Sequence, residues 1–408
     1  MDIAVVNILR IGDILQTVPL LKILSKNNNL TLVCDNIGID FLSDIIPNIT
    51  FLKIDIKVSL RLSLSSSLFD FMKLFSQNEF DLVYNLNSNE LSYFISQYLG
   101  KKIIGPIYEL GGIVNDLRFD FLFRTSDDRS IFPINLSDLY LSYCRDQNYK
   151  AQEDSEKNGY VVLNIDTGAE VRNLPIDFLK QLTEVLSKKF PVYLTGLDQD
   201  KGDKISADLS SVINYAGRTS YYELAELVRK SSLVISADTS TIHLAAIYNK
   251  NIIGLYNVSA YIYQTAPISG KFYGFHTKRS CYPCSEEFQP CGNLACMKDF
   301  DVDRISKAAC DILNNSENID CDFSTKMDND AGLLIVNGDK ELKNINLIIK
   351  FLLYKNSNII NFVDQYSEFW NNIIFLLRNM SFLSVNELLQ YSKQNKKLNR
   401  IFEIFLSH

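Results

Sequence analysis

A chain of 408 residues exceeds one ordinary compact domain, so two or three folded units are expected. With 47% apolar and 22% charged residues it has the makeup of a globular protein, not a disordered or fibrous one. A formal net charge of -7 argues against general nucleic-acid binding, which needs a basic face, but leaves room for a phosphate-bearing small ligand.

The N-terminal stretch MDIAVVNILRIGDILQ lacks the charged-then-apolar layout and cleavage site of a secretory signal. No apolar run in the chain approaches the roughly 18–20 residues that a membrane helix requires. A cytoplasmic location is therefore expected. In that compartment the eight cysteines stay reduced, so clustered ones read as metal ligands rather than disulfides.

Asp2–Ile8 reads as a buried strand, after which Ile14, Leu15, Val18, Leu21 and Leu24 recur at helical spacing. Leu30–Cys34, Phe80–Asn85 and Lys102–Gly105 read as further strands of the same parallel sheet. Residues 147–159 are polar and charged, with Ala151 the one aliphatic side chain, and make the best linker in the chain. The rhythm then restarts. Tyr160–Ile165 is a strand, and Pro175, at a first helical position, opens a helix running to about Lys189. Pro191–Thr195 is a strand, and Ser220 to Glu223 is a capping-box sequence ahead of an amphipathic helix. Leu233–Ser236 and Ile252–Tyr256 are strands around one more helix. Strand–helix alternation in two blocks predicts two Rossmann-like α/β units, residues 1–150 and 158–320, with a cleft between them. From about 325 to 408 Asn and Lys rise, Gly and Pro thin out, and apolar residues recur at helical spacing through Phe405, which predicts a mostly helical extension.

Four constellations could carry chemistry. Arg10-Ile11-Gly12-Asp13 follows the first strand, where glycine permits close backbone approach and a carboxylate can accept a proton from an attacking hydroxyl. Helix capping by Asp13 is the plainer explanation. Ser236-Ala237-Asp238-Thr239-Ser240-Thr241-Ile242-His243 joins a buried strand to a helix start, a natural diphosphate site; an ordinary cap with a packed histidine is its alternative. In Thr167-Gly168-Ala169-Glu170-Val171-Arg172, Gly168 allows a tight turn and Arg172 could meet the charge of a leaving diphosphate, unless it is a solvated surface arginine. Finally, Cys281, Cys284, Cys291 and Cys296 place four thiols within sixteen positions, a pattern for closed tetrahedral sulfur ligation of structural zinc or iron in the loop 281–296.

Together these segments resemble glycosyltransferase family 9, the ADP-heptose:lipopolysaccharide heptosyltransferase family, over roughly residues 1–310. The carriers are IGDILQTVPLLKIL (11–24), DLVYNLN with KKIIG, TGAEVRNLP, and the long stretch from Tyr215 to Asn257. The resemblance implies a glycosyltransferase of the two-Rossmann B type, inverting, with acceptor on the N-terminal half and donor on the C-terminal half. Asp13 falls on the family's catalytic aspartate, and Arg172 on a donor-phosphate position usually held by lysine. Asp238, Thr239, Ser240 and His243 fall on its donor motif, Gly12 and Gly168 line the donor, and Asp198 stands where an acidic residue holds the ribose. No cofactor is required for catalysis.

The implied partners are a nucleotide-sugar donor, of ADP type, and a glycan acceptor such as lipopolysaccharide core. A protein hydroxyl is the alternative acceptor, and a non-catalytic nucleotide-sugar-binding protein or an epimerase the alternatives to transfer. A lipid-linked acceptor would bring the chain to the inner membrane face, and a homo-oligomer is compatible with the resemblance. The departures are Ser240 for glycine, Arg172 for lysine, Leu174 for tryptophan and Asn7 for arginine.

Overall fold

The computed structural model describes residues 1–36, 38–54, 79–109, 112–114, 116, 119, 133–144, 149, 158–284, 291, 294–328, 332–339, 342, 343 and 346. Its first sheet is all parallel: β1 (Asp2–Val6), β2 (Asn29–Asp35), β3 (Ile49–Ile54), β4 (Leu82–Asn85) and β5 (Ile103–Ile104), in the order β3-β2-β1-β4-β5. Helix α1 (Ile11–Leu24) crosses from β1 to β2, and α2 (Glu90–Leu99) from β4 to β5. At the start of α2, Asn89 accepts the Ser92 N–H at 2.9 Å while the Ser92 hydroxyl accepts the Asn89 N–H, a reciprocal cap. A short hairpin, β6 (Ile107–Glu109) and β7 (Gly112–Val114), and helix α3 (Leu136–Leu141) complete this half.

The second sheet repeats the plan. Strands β8 (Val161–Asn164), β9 (Val192–Thr195), β10 (Val212–Asn214), β11 (Leu233–Ala237), β12 (Asn251–Tyr256) and β13 (Phe272–His276) run parallel in the order β10-β9-β8-β11-β12-β13. Its helices are α4 (Ile176–Ser187), α5 (Gln199–Ser206), α6 (Tyr221–Lys230), α7 (Ser240–Ile247), the one-turn α8 (Ile262–Thr265) and α9 (Val302–Leu313). Both sheets therefore wind outward in two directions from their first strand.

Helix α1 explains how the halves meet. It is apolar nearly all round and buried from Ile14 through Leu21, so it must be covered on more than one side. The sheet takes one side, and α7 of the other half packs on α1 as well. Ile14, Val18 and Leu21 join Ile242, Ala245 and Ala246 in one continuous buried cluster. Burying each large aliphatic chain there contributes roughly 1.5–3 kcal/mol, which holds the two halves against each other along this seam.

The strand positions follow the sequence reading closely, and two readings need correction. Pro175 is the N-cap of α4 and not its first helical residue, since its φ of −56° is joined to an extended ψ of 139°. The segment expected to be helical from 325 onward begins instead as a hairpin, β14 (Phe323–Asp328) and β15 (Gly332–Asn337), added antiparallel to β13. Phe323 and Thr325 are buried while Lys326 is exposed, the two-residue period of a strand with one covered face. The rest of that helical expectation, residues 347–408, lies outside the described residues, as does the linker 147–159 apart from Tyr149, Asn158 and Gly159. Among the described residues no helix is long and apolar enough to cross a membrane.

Candidate active site

In each sheet the chain reverses its winding at one strand: β1 lies between β2 and β4, and β8 between β9 and β11. Ligands of open α/β sheets bind outside the carboxyl ends of strands at such switch points. β1 runs into Asn7–Asp13, β8 into Asp166–Arg172, and β11 into Asp238–Ser240. The singled-out residues of both halves, the cysteines and Asp198 aside, leave these three strand ends.

After β1, Arg10 occupies the N-cap of α1 with no side-chain capping bond, and Asp13 is the third helical residue, its N–H bonded to the Arg10 carbonyl at 3.0 Å. Capping therefore does not explain Asp13. The loop that delivers it is held by a buried asparagine network that the sequence reading missed. Asn87 Oδ1 accepts the Ile8 N–H at 2.7 Å, and Asn87 Nδ2 donates to Asn7 Oδ1 at 3.2 Å. Asn7 Nδ2 in turn donates to the Asp13 carbonyl at 3.3 Å, and Asn85 Oδ1 accepts the Asn87 N–H at 3.1 Å. Side-chain amides can do this because each carries both donors and an acceptor. The half-buried Asp13 carboxylate lies near Tyr140 of α3, whose hydroxyl is pushed upward in pKa by burial first and by the Asp13 charge second.

After β11, Thr239 is the cap of α7, accepting the Thr241 N–H at 3.2 Å and sharing a 2.9 Å bond with Ser236 Oγ. Asp238 is thereby left for another task. One of its oxygens lies 3.3 Å from Arg172 Nη1, and the other 3.8 Å from His243 Nε2. All three side chains are largely shielded, with 12% of Asp238, 14% of Arg172 and 4% of His243 exposed. Burial pushes His243 down to about 3, so the ring is neutral near neutral pH even though the carboxylate 3.8 Å away favours its protonated form. Arg172 Nε is buried with no hydrogen-bond partner among the described residues. A buried guanidinium donor left unpaired is costly, and a ligand oxygen would satisfy it. Arg172 is thus no surface arginine, and Asp238 neutralises and aims it.

Gly12 brings the halves together. A Cβ built on it would stand 3.7 Å from the Ser240 nitrogen and 4.0 Å from the Ser240 Cβ. The first turn of α1 therefore faces the first turn of α7, where N–H groups lack intrahelical partners and the dipole favours anions. Gly168 has nothing within 4 Å of where its Cβ would be, so its loop borders open space. Asp198 is exposed and caps α5, its Oδ1 accepting the Lys201 N–H at 2.9 Å. The acidic group knitting that loop is Asp166, which accepts the Leu197 and Asp198 N–H groups at 3.0 and 2.9 Å and pairs with Lys201 at 3.0 Å.

The four cysteines converge without forming a cage. Cys281, Cys284, Cys291 and Cys296 line one cavity of about 230 Å³ together with Val258 and Arg279, and Arg279 forms a two-pronged pair with Asp299 at 2.7 and 2.9 Å. The donor set has the softness that zinc or iron prefers. As placed, however, no three His, Cys, Asp or Glu side chains among the described residues could hold a metal ion. Cys296 is buried and packed with Val258 and Met297, whereas Cys281 and Cys291 are exposed at the rim. The expected four-sulfur ligand set is not shown among the described residues, and no chemistry is assigned to a metal here.

Two parallel Rossmann-like sheets facing each other through their switch points are the architecture of the B-type glycosyltransferase fold. Solved structures agree in fold. The chain is similar to Escherichia coli heptosyltransferase WaaC with ADP (TM-score 0.54, 13% identity, 67% of this chain and 92% of that one). It is also similar to Escherichia coli ADP-heptose LPS heptosyltransferase II (TM-score 0.56, 14% identity, 78% and 100%). A third is the family 9 glycosyltransferase from Veillonella parvula DSM 2008 (TM-score 0.56, 15% identity, 77% and 97%). No curated protein sequence matches the chain. Residues 118–295 match the sequence model of glycosyltransferase family 9 (heptosyltransferase), so this segment of the chain is similar to that family.

Proposed function

We propose that the protein moves a heptose from ADP-heptose, with inversion, onto a hydroxyl of a surface glycan of the lipopolysaccharide-core type. Asp13 is the base: it takes the proton of the acceptor hydroxyl as that oxygen bonds to the anomeric carbon. The bond from that carbon to the diphosphate oxygen breaks with its electron pair, and ADP leaves. The leaving charge meets Arg172, the start of α7 and the neutral imidazole of His243, and these act by position rather than by metal. Asp238 holds Arg172 and His243 in place and Thr239 caps the anion-binding turn, with Ser240 and Gly12 at its edge. Gly168 leaves room beside Arg172, and Asp198 contributes as the cap of the loop that would flank the ribose. The proposed setting is cytoplasmic, a compartment in which four thiols sharing a cavity stay reduced. A lipid-linked acceptor would place the protein at the inner membrane face.

The observation that carries this reading is that a Cβ built on Gly12 would stand 3.7 Å from the Ser240 nitrogen, which sets a carboxylate-bearing helix start of one half against the anion-binding helix start of the other. The test is transfer from ADP-heptose, compared with UDP- and GDP-sugars, onto delipidated core oligosaccharide. Transfer from ADP-heptose that Asp13→Ala abolishes supports it. Transfer only onto a surface protein would move the acceptor, and donor epimerisation without any acceptor would replace the reaction.

A further inference from the structure

Arg172 lies on a single turn of 3-10 helix, Glu170–Arg172, which is too short to fix a side chain by itself. Its backbone is held from behind. The Asn257 amide, 1% exposed just past β12, donates to the Arg172 carbonyl at 3.5 Å, the long end of a hydrogen bond. The same Nδ2 donates to Met297 Sδ at 3.0 Å. Val171, beside Arg172, packs into a small apolar cluster with Val258, Cys284, Leu294, Cys296 and Met297. Asn257 therefore bridges the arginine-bearing turn to the cysteine-lined loop.

The next residue shows that this loop imposes a shape. Val258 has φ of 50°, a left-handed backbone that a β-branched residue adopts only when its surroundings dictate it. In that conformation its carbonyl accepts the Cys284 N–H at 2.8 Å and its N–H faces the Cys296 sulfur. The cysteine loop thus clamps Val258 on both sides, and Val258 fixes the neighbouring Asn257.

We infer that Asn257 is a positioning residue for Arg172, coupling the described ends of the cysteine-lined segment, 281–284 and 294–297, to the anion site through the Asn257 amide and the Val171 packing. The inference rests on the donor reading of Arg172. The loop's role is then neither catalysis nor mere bulk: it sets where the guanidinium stands.

The test is a double-mutant cycle on ADP affinity by calorimetry, with thermal unfolding to confirm that each variant folds. Arg172→Ala weakens ADP binding. Asn257→Leu, similar in shape but without the donor, weakens it roughly three- to tenfold, the range for one lost buried hydrogen bond. Because that loss passes through Arg172, the double variant binds no more weakly than Arg172→Ala. Met297→Leu, which keeps the packing and removes the sulfur acceptor, shifts affinity in the same direction by less, and serves if Asn257→Leu does not fold. If Arg172→Ala weakens binding but Asn257→Leu and Met297→Leu leave it unchanged, or if the Asn257 effect adds in full to that of Arg172, the coupling is wrong and the donor reading stands. If Arg172→Ala binds ADP like the wild type, both fall.

Discussion

The loops on the two sides of the cleft are built by different means. On the C-terminal side, a charged pair and a neutral imidazole fix one another: Asp238 stands between Arg172 and His243, all three mostly withdrawn from solvent. On the N-terminal side neutral amides fix the backbone, with Asn7, Asn85 and Asn87 tying the ends of β1 and β4 to the start of α1. The difference suits the proposed labour. A diphosphate needs positive groups already in place when it arrives, because reorganising charge during the reaction is costly. A base has a different need: its carboxylate must be aimed at the acceptor hydroxyl, and the asparagine network holds the backbone that delivers it.

That contrast can be broken from either side. The largest effect is expected at Asp13: replacement by Ala or Asn should cut transfer by about 10²–10⁴, the usual contribution of a general base, while ADP affinity holds. Transfer that survives would take the carboxylate out of the mechanism. Arg172→Ala should cost about 1.5–3 kcal/mol in donor kcat/KM, as expected for a lost charge-assisted contact, with Arg172→Lys recovering part of it. Unchanged kinetics would remove Arg172 from the site.

Smaller effects sharpen the comparison. Asn87→Leu leaves the Ile8 N–H without its partner and takes one of two donors from Asn7 Oδ1, so stability should fall by about 1–3 kcal/mol in urea melts. Turnover should fall with it, while ADP binding holds; a loss confined to ADP affinity would place the network on the wrong side of the cleft. His243 gives a pH signature. Its ordinary value of 6.5 is lowered to about 3 by burial, so below about pH 6.5 the unfolded chain binds a proton that the folded chain refuses. Stability should therefore decline as pH falls from 6.5 toward 3, and less steeply in His243→Gln; equal slopes would mean that the ring is not buried in solution.

Most of both sheets was legible because buried parallel strands are short apolar runs between turn residues, as in Asp2–Val6 and Leu233–Ala237. The reading was incomplete elsewhere. β3, β10 and β13 were passed over, and β14, FSTKMD, opens a segment whose scarcity of Gly and Pro and helical apolar spacing read as helix; only pairing with β13 reveals the strand. Asp13, Arg172, Asp238 and His243 could be named from strand-end position and resemblance. Their supports could not: an asparagine at the end of a strand reads as a loop residue until the topology brings positions 7 and 87 together. The cysteine spacing pointed to a closed metal site, yet spacing cannot show that Cys296 is packed inward while Cys281 and Cys291 stay at the rim.

The central claim is that the first turns of α1 and α7 face each other across one cleft. Introducing Gly12→Cys together with Ser240→Cys tests it, since the projected Cβ separation of 4.0 Å falls within the roughly 3.5–4.5 Å that a disulfide spans. Under mild oxidation, peptide mapping should find positions 12 and 240 linked, with transfer lost on oxidation and restored by reductant. Failure of these two positions to link, with the single variants still active and folded, would contradict the arrangement on which the mechanism rests.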